Sequence, residues 1–273
     1  MSRVKDVLRS ITPPIIWATA GNARRRREGP GEWQYAGTTW PVPSTYRGWN
    51  SESVVDAQQA RVPALRAAAT GTGPMSEDLD VHNTLMCFGY VLGRAVTPDR
   101  QVSILDWGGG LGQYGIVAEA LYPDVAVEYH CVDLPVFGAA PTMLVPPHRF
   151  HRSDEPLPES MFDLVFASGA LHYVERWQAT LASLAAAARR FVFITRLPIA
   201  PTGNSYVTVQ RPYAYGYDTE YPGWVINRRE FVDEAKGNGL DLRREFLIGE
   251  SPVIPGEVEQ PVYRGFLFER VAS

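Results

Sequence analysis

The chain has 273 residues, 45% of them hydrophobic, and a formal net charge of −4, which suits one large domain or a domain with an appendage. The acidic balance argues against a general nucleic-acid binder, and no apolar run is long enough to span a bilayer. Two cysteines, Cys87 and Cys131, build neither a disulfide framework nor a zinc set, so a reducing, cytoplasmic compartment is the default.

Residues 1 to about 50 lack strong periodicity. Residues 4–9 suit a short helix that Pro13-Pro14 stops. The run 11–17 is too short, and too interrupted by those prolines, for a signal peptide. Arg24 to Arg27 form a basic stretch, read as a solvated loop, with a nucleic-acid or phosphate contact as the other reading. Lysine is confined to Lys5 and Lys236 while arginine is plentiful, a composition that suggests a high-GC bacterial source. Trp33, Tyr35, Trp40, Tyr46 and Trp49 sit among Gly and Pro, where no regular element is expected. Either they pack this arm onto the main domain or they line a ligand pocket.

Residues 53–69 predict a helix that Pro63 bends or divides. Ser76 is placed to cap the next helix, with Glu77, Asp78 and Asp80 in its first turn. That helix should run to about Val96 and bury Leu79, Leu85, Met86, Val91 and Leu92. His82 on it reads as a structural polar residue.

Residues 102–105 form a short apolar run ending at Asp106. Five glycines follow (Gly108, Gly109, Gly110, Gly112, Gly115), then an apolar helical pattern with Tyr114 at its start. This reads as strand, glycine-rich turn, helix. Glycine allows φ > 0 and close approach of a ligand to the backbone. The helix start adds free N–H groups and partial positive charge. The spacing Gly110-x-Gly112-x-x-Gly115 also fits a dinucleotide fingerprint. Asp106 counts against a pyrophosphate, which it would repel, and favours a cofactor with a cationic end.

From Val102 onward, short apolar strands alternate with helices, as in a parallel sheet covered on both faces. Residues 127–132 form the second strand, with Asp133 at its tip, placed to bond ribose hydroxyls. Leu134, Pro135 and Phe137 could pack on an adenine. Residues 148–154 read as a third strand and its exit; His148 and His151 have a spacing seen in metal sites, but with no third ligand evident no metal is expected. Residues 162–168 are a central strand leaving through Ser168, Gly169 and Ala170. His172 follows at the mouth, either a proton acceptor for the substrate or only a loop-orienting group. After an alanine-rich helix, residues 190–195 form a fifth strand with Arg196 at its tip, able to hold a carboxylate or phosphate or to pair with an internal acid. Residues 198–226 show neither helix nor strand pattern. Tyr206, Tyr213, Tyr215, Tyr217, Tyr221 and Trp224 crowd there beside Gln210 and Arg211. A long irregular segment inside a domain is usually functional. Asn227 should cap a last helix, and residues 240–248 and 262–268 read as closing strands.

The loop Asp106-x-Gly108-x-Gly110-x-Gly112 resembles the first motif of the class I S-adenosylmethionine-dependent methyltransferases. Residues 162–173 resemble their fourth motif. Within the class, the chain resembles a branch of often bacterial small-molecule methyltransferases sharing Leu-Asp-Trp-Gly-Gly-Gly-x-Gly, Val-Asp-x-Pro and Ser-Gly-Ala-Leu-His-Tyr. The resemblance implies a Rossmann-like α/β fold: a mostly parallel seven-stranded sheet with an antiparallel last strand and a helical N-terminal extension. It divides the chain into an arm and helical cap (1–98) and a catalytic domain (99–273) with an acceptor-pocket insert (198–226).

It further implies S-adenosyl-L-methionine as cofactor and S-adenosyl-L-homocysteine as product. Asp106, Gly108, Gly109, Gly110, Gly112, Tyr114, Asp133, Leu134, Ser153, Asp154, Ser168 and Gly169 would hold the cofactor, Asp154 by its adenine amino group. His172, Tyr173, Arg196, Tyr206, Gln210, Tyr213 and Tyr215 would face a small-molecule acceptor of biosynthetic origin, with His172 and Arg196 the catalytic pair. No metal, nucleic-acid or membrane partner is expected, and the protein would be a monomer or homodimer. Three rivals stay open: an NAD-dependent oxidoreductase, an adenosylmethionine enzyme of other chemistry, and a non-catalytic cofactor-binding partner.

Overall fold

The computed structural model describes residues 32–41, 48–139, 148–249, 252–255 and 259–271. The expected helix at 4–9, the arginine run 24–27 and Tyr46 lie outside them. Among the described residues no helix is long and apolar enough to cross a membrane.

Seven strands form the main sheet: β2 (Gln101–Trp107), β3 (Ala126–Asp133), β4 (Arg149–Arg152), β5 (Phe162–Ser168), β6 (Ala188–Ala200), β9 (Leu240–Leu247) and β10 (Val262–Arg270). Their order is β4-β3-β2-β5-β6-β10-β9. The pairs from β4 to β6 are parallel, and β10 runs antiparallel to both β6 and β9. This is the Rossmann-like sheet with an antiparallel last strand that the resemblance implies.

Buried parallel strands should read as continuous apolar runs, and all of Phe162 to Ala167 is buried. Alternate side chains then feed two cores. Leu105, Val165 and Val192 pack with Trp177, Leu181 and Phe231, from α6 (Trp177–Ala187) and α7 (Arg228–Gly237). Ile104, Phe166 and Phe193 pack with Phe88, Leu92 and Val117, from α3 (Leu79–Ala95) and α4 (Gln113–Leu121).

Several boundaries differ from expectation for local reasons. Pro63 divides the first helical stretch into α1 (Glu52–Gln59) and α2 (Val62–Thr70). Asp78, not Ser76, caps α3, accepting from the N–H groups of Asp80 and Val81. Starting α3 at that cap leaves Leu79 77% exposed rather than buried. Asn227 does cap α7, accepting from Glu230 N–H at 3.0 Å. Asn227→Ala should cost about 1 kcal/mol, read from urea unfolding; an unchanged midpoint would remove the cap from the account.

The largest correction concerns residues 198–226, about half of which are strand. β6 runs on to Ala200, and β7 (Tyr206–Gln210) pairs antiparallel with β8 (Tyr221–Asn227). β1 (Trp33–Gly37) adds to β7, so the first aromatics of the arm do lie in a regular element. β8 meets the main sheet through two residue pairs, Ile199↔Ile226 and Ala200↔Asn227. β1 finds its hydrogen bonds on a strand far along the chain, so nothing local announces it.

Candidate functional site

The carboxyl ends of β2, β3, β5 and β6 converge on one edge, where open parallel sheets place ligands. The loop after β2 turns through Gly108 (φ 74°), Gly110 (φ 58°) and Gly112 (φ 73°) before α4 begins. These left-handed conformations penalise any Cβ, which accounts for the residue type.

Asp133 closes the loop from the tip of β3. Its Oδ2 accepts from Gly110 N–H at 2.6 Å and its Oδ1 from Leu134 N–H at 2.6 Å. Burial nonetheless lifts its pKa to about 6. Each carboxylate oxygen has capacity for a further donor, so the group can hold the loop and still accept from a hydroxyl.

Asp106 lies beneath the loop. It is fully buried, and its Oδ2 accepts from the Tyr129 hydroxyl. Oδ1 has no hydrogen-bond partner, and burial pushes the pKa up to about 7. A carboxylate facing the ligand was expected; instead Gly109 and Cys131 cover it, a Cβ on Gly109 falling 2.7 Å from Asp106 Oδ2 and 2.8 Å from Cys131 Sγ. Its influence on a ligand therefore passes through the loop.

The exit of β5 meets this loop directly. A Cβ on Gly108 would lie 2.4 Å from Ala170 Cβ. Tyr114 reaches across from α4, its hydroxyl 2.8 Å from Ser168 Oγ and its ring on Phe88 and Phe166. Gly169 N–H donates to Thr195 O at 2.9 Å.

Arg196 was expected at the tip of the fifth strand. It sits inside β6, at an irregularity where the pairing with β10 slips between Arg264 and Phe266. Thr195 and Arg196 thus face Gly265 alone, and Arg196 takes φ 51°. A bulge re-aims a side chain, and a non-glycine residue held in this region costs about 1–3 kcal/mol and clusters at functional sites. The turn brings the guanidinium beside Gly169.

His172, on a single turn of 3-10 helix (Leu171–Tyr173), is fully buried. Among the described residues, neither ring nitrogen has a hydrogen-bond partner. Burial, and then the Arg196 charge, hold its pKa down to about 3. Of the two readings of His172, this favours the orienting group over the proton acceptor, since the ring is then neutral throughout the physiological range. It packs on Tyr173, with ring centroids 3.8 Å apart.

Tyr173 donates to Gln210 Oε1 at 2.7 Å, and Gln210 Nε2 donates to Glu32 at 3.1 Å. Trp49 stacks on Tyr221 at 4.4 Å and meets Tyr173 edge-on at 4.9 Å. The buried Trp49 Nε1 and Thr195 Oγ1 also lack partners.

The structure places the other expected site residues as follows. Tyr206 packs with Trp33, Ala200, Val225 and Ile254 at the far end of β7. Tyr213 and Tyr215 are exposed, and the Tyr213 hydroxyl donates to Glu220 at 2.6 Å. They sit on a short 3-10 turn, with Arg61 donating to Tyr215 O at 3.0 Å. Asp154 is half-exposed and held by Arg152 at 2.7 Å, Ser153 N–H donates to Asp133 O, and Phe137 is buried with Val54 and Leu111 rather than open to a ring. Trp49, read from sequence as either packing the arm or lining a pocket, reaches this edge from before the glycine loop; Gln58, which does so too, went unnoticed. The aromatic run around Trp49 carried a partial signal and Gln58 none.

No protein-family model matches the chain, and no curated protein does. Solved structures of similar chain path include Burkholderia thailandensis 1,6-didemethyltoxoflavin-N1-methyltransferase with 1,6-didemethyltoxoflavin and S-adenosylhomocysteine (15% identity, 88% of this chain and 96% of that one, TM-score 0.49). They also include magnesium protoporphyrin IX methyltransferase from Synechocystis PCC 6803 with S-adenosylhomocysteine (13%, 81% and 100%, TM-score 0.46). LepI with S-adenosylmethionine is a third (17%, 66% and 46%, TM-score 0.46), so the chain spans less than half of that protein's length. The likeness is one of fold, and no residue is assigned from it.

Proposed function

We propose that the protein transfers a methyl group from S-adenosylmethionine to an O, N or C nucleophile of a small-molecule acceptor. The observation that carries this reading is Asp133 bonding the glycine loop through Gly110 N–H at 2.6 Å. It joins an acid that can take ribose hydroxyls to a backbone cradle beside the β5 exit.

In this reading Asp133, Gly108, Gly110 and Gly112 hold the nucleoside part, while Tyr114 and Ser168 border the reacting end. Asp106 supports the loop from below. Bound S-adenosylmethionine supplies an electrophilic methyl group on a good leaving group. The protein's part is then mainly alignment and exclusion of water. His172 is held neutral, so it serves as a hydrogen-bonding group that orients the acceptor; a base with so low a pKa accepts protons poorly near neutrality. Arg196 adds positive charge at the same place. Trp49, Tyr173 and Tyr221 give the acceptor side a rigid aromatic wall.

Calorimetric titration with S-adenosylmethionine, S-adenosylhomocysteine and NAD tests the reading. Micromolar binding of the first two is expected, weakened at least about tenfold, or ~1.4 kcal/mol, in Asp133→Ala. Binding of NAD alone would move the protein to the oxidoreductases. No binding of any of the three to folded protein would sink the proposal.

A further inference from the structure

The N-terminal cap touches the glycine loop through Gln58, on the last turn of α1. A Cβ on Gly110 would lie 2.3 Å from Gln58 Oε1 and 3.3 Å from its Nε2. The same Gly110 donates its N–H to Asp133 Oδ2. Gln58 is half-buried, and among the described residues its amide makes no hydrogen bond. An amide with both donor and acceptor capacity therefore stands beside the acid that closes the loop.

The placement is fixed rather than incidental. Val54 and Val55 of α1 pack with Leu111 and Phe137, residues that follow the tips of β2 and β3. Asp218 N–H donates to Ser53 Oγ at 3.0 Å, and Arg61 donates to the Tyr217 hydroxyl at 3.3 Å. The helix is anchored on both sides of the edge, with Gln58 directed at the loop.

We propose that Gln58 is a cofactor-contacting residue that shares the ribose hydroxyls with Asp133. This rests on the reading of the site given above. A carboxylate only accepts, whereas a ribose diol offers O–H donors and oxygen acceptors together. Asp133 takes an O–H; the Gln58 amide donates through Nε2 to a hydroxyl oxygen and accepts through Oε1. No metal or charge is needed, and the contact comes from a part of the chain outside the glycine motif.

The test is calorimetric titration of wild type, Gln58→Ala and Asp133→Ala with S-adenosylhomocysteine and with 5′-methylthioadenosine, which lacks the amino-acid end. Loss of a neutral hydrogen bond should weaken binding of both ligands about threefold to tenfold in Gln58→Ala. The melting temperature should stay near wild type, because the side chain is half-exposed. Binding within about twofold of wild type, with Asp133→Ala clearly weakened, overturns the Gln58 assignment alone. Weakening confined to S-adenosylhomocysteine places Gln58 at the amino-acid end and overturns the ribose contact. Failure of folded wild type to bind either ligand overturns the site reading and this proposal with it.

Discussion

Gly109→Ala should both destabilise the protein and remove the proposed affinity for S-adenosylhomocysteine. The added methyl would sit 2.7 Å from Asp106 Cγ and Oδ2 and 2.8 Å from Cys131 Sγ. Both neighbours are fully buried, on the adjacent strands β2 and β3. Neither is the free end of a flexible chain, so relief must come from the backbone of the loop. Overpacking of this kind costs about 1–3 kcal/mol, and a displaced loop loses its alignment with Asp133. Urea unfolding and S-adenosylhomocysteine titration read the two effects. Gly237→Ala is the control: a methyl there meets nothing within 4 Å, so stability should hold or rise slightly. Wild-type behaviour of Gly109→Ala in both assays would show that the loop is softer than its packing indicates.

Asp106→Asn should flatten the dependence of stability on pH. Burial raises the Asp106 pKa to about 7 and that of Asp133 to about 6, against roughly 3.9 in an unfolded chain. The folded state then binds more protons than the unfolded state between those values, so stability falls as pH rises from about 4 to about 7. Groups such as Asp163, held low by Ser103 and Arg189 despite burial, act the other way, losing stability only as pH falls below the ordinary carboxylate range. The asparagine variant removes the Asp106 contribution alone. Its stability relative to wild type should improve from pH 5 to pH 8 by on the order of 2–4 kcal/mol. An amide oxygen still accepts from Tyr129, and no charge is left beneath the loop. Parallel stability curves for the two proteins would show that Asp106 does not carry the proton.

The features legible in the sequence are those whose cause is local. Asp106 and five nearby glycines needed only a strand before them and a helix after. Asp133 was marked by ending an apolar strand, and Asn227 by preceding an amphipathic helix. What stayed hidden depends on contacts between distant segments. β7 has the β-branched and aromatic content of a strand, Tyr206-Val207-Thr208-Val209, but Pro, Gly and Tyr around it obscured the pattern. The Arg196 turn arises from a slip against β10. The fall in the His172 pKa comes from burial that no single stretch of sequence reveals. Tyr213 and Tyr215 drew notice as aromatic residues in an irregular segment, but their exposure is set by a 3-10 turn that no sequence pattern announces.

The narrow join between β6 and β8 has a further consequence. The glycine loop, Asp133 and the β5 exit lie on one side of it, while Gln210, Tyr221 and Gly223 are on the other. A Cβ on Gly223 would come 3.2 Å from the Tyr173 ring and 3.5 Å from His172, so the hairpin, together with Trp49, sets what stands opposite that turn. Substitutions on the strand faces of the hairpin reshape this wall, whereas its connection, through Tyr217 and Asp218, also holds α1 against the glycine loop. The wall is thus stitched to the cradle by side chains rather than by sheet, through Tyr173–Gln210, Trp49–Tyr221 and Ser53–Asp218, so a change in one is felt by the other through packing and not through backbone register.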